Sequence, residues 1–270
     1  MRIKLWSAAV GGILALGPSA FAQEAPPASI DLSKFPAAAV EEVVVPVPSE
    51  IFNVLDKLGT PNWHAEFRPT LGRNTGNRPQ IALLLGTVIA DGFIAVEAQD
   101  VPRVEEIGRQ VLKLSQAINV EDAVKERCNA IVDQARKGNW PAVRRELDGA
   151  LNKVREAMRE LNDEDLAQLV SLGGWLRGTE VLTSIVIKDY RSDSAELLYQ
   201  PELLNYFTRR IDQMPTRLRK EELVSQIRKV LDRIRPLIGK QDGSNISLKN
   251  VERIHQMTGD VVTEITAEQS

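Results

Sequence analysis

Four ionisable residues sit inside the two most apolar stretches of the chain: Asp91 and Glu97 within residues 79–98, Arg177 and Glu180 within residues 166–188. A charge in such a setting must be paired or hydrogen-bonded, because leaving it alone in an apolar interior costs several kcal/mol. Arg177 and Glu180 are three residues apart and touch if the stretch is helical. On a helical wheel Glu97 shares a face with Gly86 and Ala90, whereas Asp91 points to another face, near Thr87 and Ala98. Two chemistries fit. In the first and favoured one, Glu97, Arg177 and Glu180 form a buried ion-pair network that fixes helix register. In the second, Asp91, Glu97, Arg177 and Glu180 line a pocket for a small ligand or a cation. Structural ion pairs and functional ones share this signature.

Other chemistries find little material. Only His64 and His255 exist, and the one Glu-x-x-His match, Glu252 to His255, lacks the second motif and further carboxylates of a bundle metal site, so no metal is expected. Cys128 is the sole cysteine, which excludes haem attachment through paired cysteines and any disulfide within the chain; its place on an apolar helical face predicts a buried, inert thiol. There is no Gly-x-Ser-x-Gly elbow and no phosphate-binding Gly-Lys-Ser/Thr ending. The segment GRNTGN (72–77) could offer backbone N–H groups to an anion at a helix start, with Arg73 and Arg78 beside it, although a loop leading into a helix through Pro79 is the simpler reading. Aromatic residues make up 5% of the chain, too few to mark a sugar-stacking platform. The runs RRELD and RLRKEE read as solvated helical faces. No cofactor is expected.

The elements that must position these residues are helical almost throughout. A short helix at 49–58 ends at Gly59, and a long loop follows that carries Trp63, His64, Phe67 and Arg68 and should pack on the core. Pro79, Pro102 and Pro141 occupy first-turn positions of helices running to about residues 98, 118 and 161. Residues 121–137 form another helix, stopped by Gly138, and Asn162 or Asp163 caps a long one ending near Tyr190. Further helices are expected at 193–212, interrupted by Pro201, at 216–238, and at 247–267 after the turn QDGSN. The fold class is therefore all-α: an antiparallel bundle of about eight or nine helices, with a short helical-repeat array as the alternative. The hairpin ARKGNWPAVRRELDGAL has a faint likeness to tetratricopeptide repeats, but its spacing does not recur 34 residues to either side.

Two helices, 79–98 and 166–188, are apolar nearly all round and should be surrounded by the others. They also hold Gly86 and Gly92, and Gly173, Gly174 and Gly178. Each internal glycine costs roughly 1 kcal/mol relative to alanine. Close approach of two helix backbones would offset that cost, so the glycines predict a central, mutually contacting helix pair.

The ends suggest location. Arg2 and Lys4 precede the apolar run Leu5–Gly17 and the small-residue stretch PSAFA, the pattern of a signal peptide over residues 1–22 cleaved after Ala22. Residues 23–47 hold Pro26, Pro27, Pro36 and Pro46 and read as an extended tether, residues 48–238 as the helical domain, and 239–270 as a linker plus a C-terminal amphipathic helix. The stretch 81–96 is apolar but holds Asp91, so a core helix is expected and no stable membrane insertion. The chain carries 34 Lys and Arg against 37 Asp and Glu, and removing Arg2 and Lys4 makes it more acidic still, which argues against nucleic acid as a partner. The expectation is a periplasmic or secreted helical protein without a catalytic motif, acting as a scaffold or accessory interaction factor of the bacterial envelope. Its contact elements would be the 23–47 tether or the C-terminal helix.

Overall fold

The computed structural model describes residues 48–69, 76–238 and 245–267. The expected signal peptide, the tether, Arg73 and most of the QDGSN turn lie outside these residues. Those described form eleven α-helices and two short 3-10 helices, with no strand among them: α1 (Pro48–Asp56), a 3-10 turn (Trp63–Glu66), α2 (Arg78–Glu97), α3 (Val101–Ala117), α4 (Glu121–Arg136), α5 (Trp140–Glu160), α6 (Glu164–Lys188), α7 (Ser192–Glu196), α8 (Pro201–Gln213), α9 (Thr216–Arg219), α10 (Glu222–Ile234), a 3-10 turn (Arg235–Leu237) and α11 (Leu248–Thr266).

Local chemistry sets most helix ends. Proline opens α2, α3, α5 and α8, and the side chains of Asn77, Asp100, Asn139 and Ser247 accept hydrogen bonds from first-turn N–H groups of α2, α3, α5 and α11. The four connections from α2 to α6 share one solution. Each is three residues long with a left-handed middle residue: Gln99 (φ 52°), Asn119 (φ 65°), Gly138 (φ 68°) and Asn162 (φ 54°). Each closes with the same pair of bonds, as in Asn119 N to Gln116 O (3.1 Å) and Val120 N to Ser115 O (2.9 Å), so the orphan carbonyls of every helix end are met in the same way. Asn162 therefore ends α5, and Asp163 is the residue preceding α6, but its side chain caps nothing there.

Identical reversals make α2 to α6 run up and down in turn, so α6 comes back parallel to α2. The contacts agree, since Arg78 meets Asp163, Gly173 meets Leu83 and Arg177 meets Asp91, rising together along both helices. An open helical-repeat array would keep α6 away from α2. Here the two share the most extensive interface in the molecule, so the fold is a bundle.

The count exceeds eight or nine because two expected helices are split. Residues 193–212 divide around Pro201 into α7 and α8. Residues 216–238 break at Lys220–Glu221, and the reason lies in the apolar stripe of α10, formed by Val224, Ile227, Leu231 and Ile234. Extended backwards at helical spacing, that stripe falls on Lys220 and Arg217. The break leaves both cations exposed and lets Leu218 turn inwards instead.

The central pair is built on three of the five glycines. A Cβ on Gly86 would lie 1.8 Å from the Val170 carbonyl oxygen, one on Gly173 would lie 2.0 Å from that of Leu83, and one on Gly174 would lie 3.3 Å from that of Gly86. The backbones meet where no side chain fits. Thr87 Oγ1, bonded to Leu83 O at 3.0 Å, also approaches Gly173 O at 3.4 Å. Gly92 and Gly178 play no part in this approach: a Cβ on Gly92 would make ordinary contact with Ile107 of α3, and one on Gly178 would meet nothing within 4 Å. By length and composition α2 could cross a membrane, yet most of its circumference is packed inside the protein.

α11 folds back onto α6. Its stripe of Val251, Ile254, Thr258, Val261 and Ile265 is fully covered, so this face serves the bundle itself.

Candidate functional site

Past the glycine crossing, the C-terminal halves of α2 and α6 leave a groove that the 60–69 segment fills. Trp63 anchors it there, in a small apolar cluster with Ile94, Val181 and Ile185. The face of α6 that begins at Gly173 continues, at spacings of three and four, through Arg177, Glu180, Ser184 and Lys188, so all of these look towards the groove.

Arg177 is the centre. It is 3% exposed. Its Nε donates to Asp91 Oδ1 at 2.7 Å, its Nη1 to Glu180 Oε2 at 2.9 Å, and its Nη2 to the backbone carbonyl of Glu66 at 2.5 Å. Asp91 takes a second cation, Arg68, through Oδ2. Glu66, itself buried, accepts from Ser184 Oγ at 3.2 Å and Lys188 Nζ at 2.5 Å through one oxygen, Oε1. His255 of α11 closes the far side, with Nδ1 3.2 Å from the Glu180 carbonyl and 3.1 Å from Thr183 Oγ1. Three cations, Arg68, Arg177 and Lys188, thus balance three carboxylates, Glu66, Asp91 and Glu180. Burial works against the charge on Arg177, and Asp91 and Glu180 more than offset it, so its pKa lies above the usual arginine value. Removing either partner of such a pair strands the other, at a cost of about 3–5 kcal/mol.

Glu97 belongs elsewhere. Its Oε1 accepts from Arg144 Nη2 of α5 at 2.5 Å, and the same guanidinium reaches Asp56 of α1 at 2.9 and 3.0 Å while lying 4.5 Å over the Phe52 ring. Burial raises the Glu97 carboxyl above its ordinary value against the pull of Arg144, and Asp56 adds to the rise. The expected Glu97–Arg177 pairing is therefore corrected: Glu97 joins α1, α2 and α5, and Asp91 is the residue of α2 that meets Arg177. Glu97, in the last turn of α2, meets Arg144 of α5, and Asp91 meets Arg177 of α6, a choice the periodicity of α2 alone does not make.

The structure brings Asp91, Arg177 and Glu180 together and keeps Glu97 apart. It adds Glu66 and Arg68, which sequence reasoning did not place in the cluster. Their signal was present: a buried arginine needs acceptors beyond its own helix, and the loop holding Trp63, Phe67 and Arg68 was expected to pack on the core. Arg78 pairs with Asp163 Oδ2 at 2.8 Å and ties the starts of α2 and α6 together, so its charge is engaged within the protein. Among the described residues no group of three or more His, Cys, Asp or Glu is placed to hold a metal ion. Burial pushes the Cys128 thiol up to about 11, far from a reactive thiolate. Compared with known protein families, curated proteins and solved structures, the chain matches none.

Proposed function

We propose that the protein is an exported helical scaffold or accessory interaction factor of a bacterial envelope, acting through its surface and its N-terminal tether instead of through a reacting centre. One observation carries this reading: the charged groups of the core close on one another. Arg177 directs its donors to Asp91, Glu180 and the Glu66 carbonyl, and Glu97 is engaged by Arg144, so each of the four expected residues is paired within the protein. A reacting centre keeps an open position for substrate, whereas a register-fixing network does not.

The test is in the cell. The full-length protein is expressed in its own host with a C-terminal tag, fractionated, and its N-terminus determined. The expected result is a periplasmic or secreted chain beginning at Gln23. Crosslinking in intact cells is then expected to give one defined adduct, lost when residues 23–47 are deleted. A cytoplasmic chain that retains Met1 would end the export part, and an adduct indifferent to the tether would end its role.

A further inference from the structure

At Glu66 the ion-pair network borders an open pocket of about 360 Å3, within the size range of small-ligand sites. One wall is the segment Leu58, Thr60, Pro61 and Asn62; the other is the last turn of α6 and the start of α7. Leu58, Pro61, Ile185 and Val186 supply an apolar lining. Three features make its polar side electronegative. Glu66 is 8% exposed and lines the pocket, and only its Oε1 is used; Oε2 has no hydrogen-bond partner among the described residues. The carbonyls of the last turn of α6, a 25-residue helix, lie past the final helical bond, from Asp189 N to Ile185 O, and that end carries the negative pole of the helix dipole. Asp189 stands beside them, exposed and at the rim. Of the two cations present, Lys188 is already bound to Glu66, and Arg191 sits at the mouth, held loosely by Ser194 Oγ at 3.2 Å and Asp193 at 3.6 Å.

We propose that this pocket binds a primary ammonium group carried on a short apolar body. The ammonium lies between Glu66 Oε2 and the carbonyl end of α6, with the apolar body against Ile185, Val186 and Leu58. Two sources share that chemistry, a simple alkylamine and a free α-amino acid, and Arg191 distinguishes them because only the amino acid brings a carboxylate to it. The site shares Glu66 with the buried network and does not depend on the scaffold role.

The experiment is isothermal titration calorimetry of the purified protein in phosphate buffer with isopentylamine, L-leucine and isovalerate. Isopentylamine and leucine are expected to saturate one site, and isovalerate, which lacks the ammonium, is not. Glu66→Gln should weaken isopentylamine binding roughly tenfold, the loss of one charged hydrogen bond. Thr60→Trp alters an exposed wall residue whose side chain has no hydrogen bond among the described residues, and should abolish binding while leaving the thermal melt unchanged. Leucine binding tighter than isopentylamine, with the advantage lost in Arg191→Gln, identifies an amino acid; equal or weaker binding identifies an amine. Failure of both amines to saturate, isovalerate binding as well as they do, or unchanged binding in Thr60→Trp would each overturn the proposal.

Discussion

Gly173→Ala and Gly178→Ala place the same methyl group on the same helix, five residues apart, and should have opposite effects. At Gly178 the side faces solvent and an added Cβ meets nothing within 4 Å, so only helix propensity changes. The gain is about 0.5–1 kcal/mol. At Gly173 the Cβ would lie 2.0 Å from the Leu83 carbonyl oxygen and 3.0 Å from the Leu83 Cα, both backbone atoms that no rotamer change can move. Ordinary non-bonded separations are about 3.5 Å, so α2 and α6 must part by more than 1 Å, and a gap of 0.5–1 Å already forfeits a quarter to a half of each dispersion contact. The side chains flanking the crossing, Leu83, Leu169, Val170, Leu172 and Leu176, are almost wholly buried and would share that loss. Overpacking of this kind, spread along the longest interface, should cost about 3 kcal/mol or more. For a chain of this size 1 kcal/mol corresponds to about 2–4 °C in Tm. Gly178→Ala should therefore melt slightly above the wild type, and Gly173→Ala lower by roughly 6–12 °C, followed by circular dichroism at 222 nm and by urea denaturation. A Gly173→Ala variant within about 1 kcal/mol of wild type, or a Gly178→Ala variant that falls with it, would refute the close-approach account of these glycines.

Three further outcomes follow from the same contacts. Arg177→Met should cost about 3–5 kcal/mol in urea denaturation by leaving Glu180 without its cation and Asp91 with Arg68 alone, and adding Asp91→Asn should cost less than the sum of the singles, whereas Arg177→Met with Glu97→Gln should be additive because the two share no partner. A coupled Glu97–Arg177 cycle would contradict the division into two clusters. Because the Glu97 carboxyl is raised in the folded state, its contribution is fully present below its ordinary value of 4.5 and is lost as pH rises through the folded value. The stability of Glu97→Gln relative to wild type should then improve between pH 4 and pH 7, and a difference independent of pH would remove the argument. Deleting residues 245–270 uncovers the face of α6 on which Val251, Ile254, Val261 and Ile265 lie, and should abolish cooperative unfolding; a truncated chain that melts normally would make α11 an appendage instead of a cap.

The sequence by itself determined what depends on neighbours along the chain. Helix starts at Pro79, Pro102 and Pro141 and stops at Gly59 and Gly138 are local events, set by fixed φ angles and by the ease of left-handed backbone at glycine. The all-round apolarity of α2 and α6 and the placing of Gly86 and Gly173 announced a central pair, because burial and close approach each constrain residue type directly. The alignment of Gly173, Arg177, Glu180 and Ser184 on one face followed from helical periodicity alone. What only the tertiary structure decided is which faces meet. Asp91 and Glu97 lie on different faces of the same apolar helix, and either could have met Arg177. The choice was made by four near-identical reversals between α2 and α6, which return α6 parallel to α2, and by the Trp63 segment lying in the groove beyond the glycines. The break at Lys220–Glu221 has the same origin, since Leu218 turns inwards only because a packed interior is there to receive it. Periodicity assigns a residue to a side of its own helix; the partner on that side is set by the packing of the whole bundle.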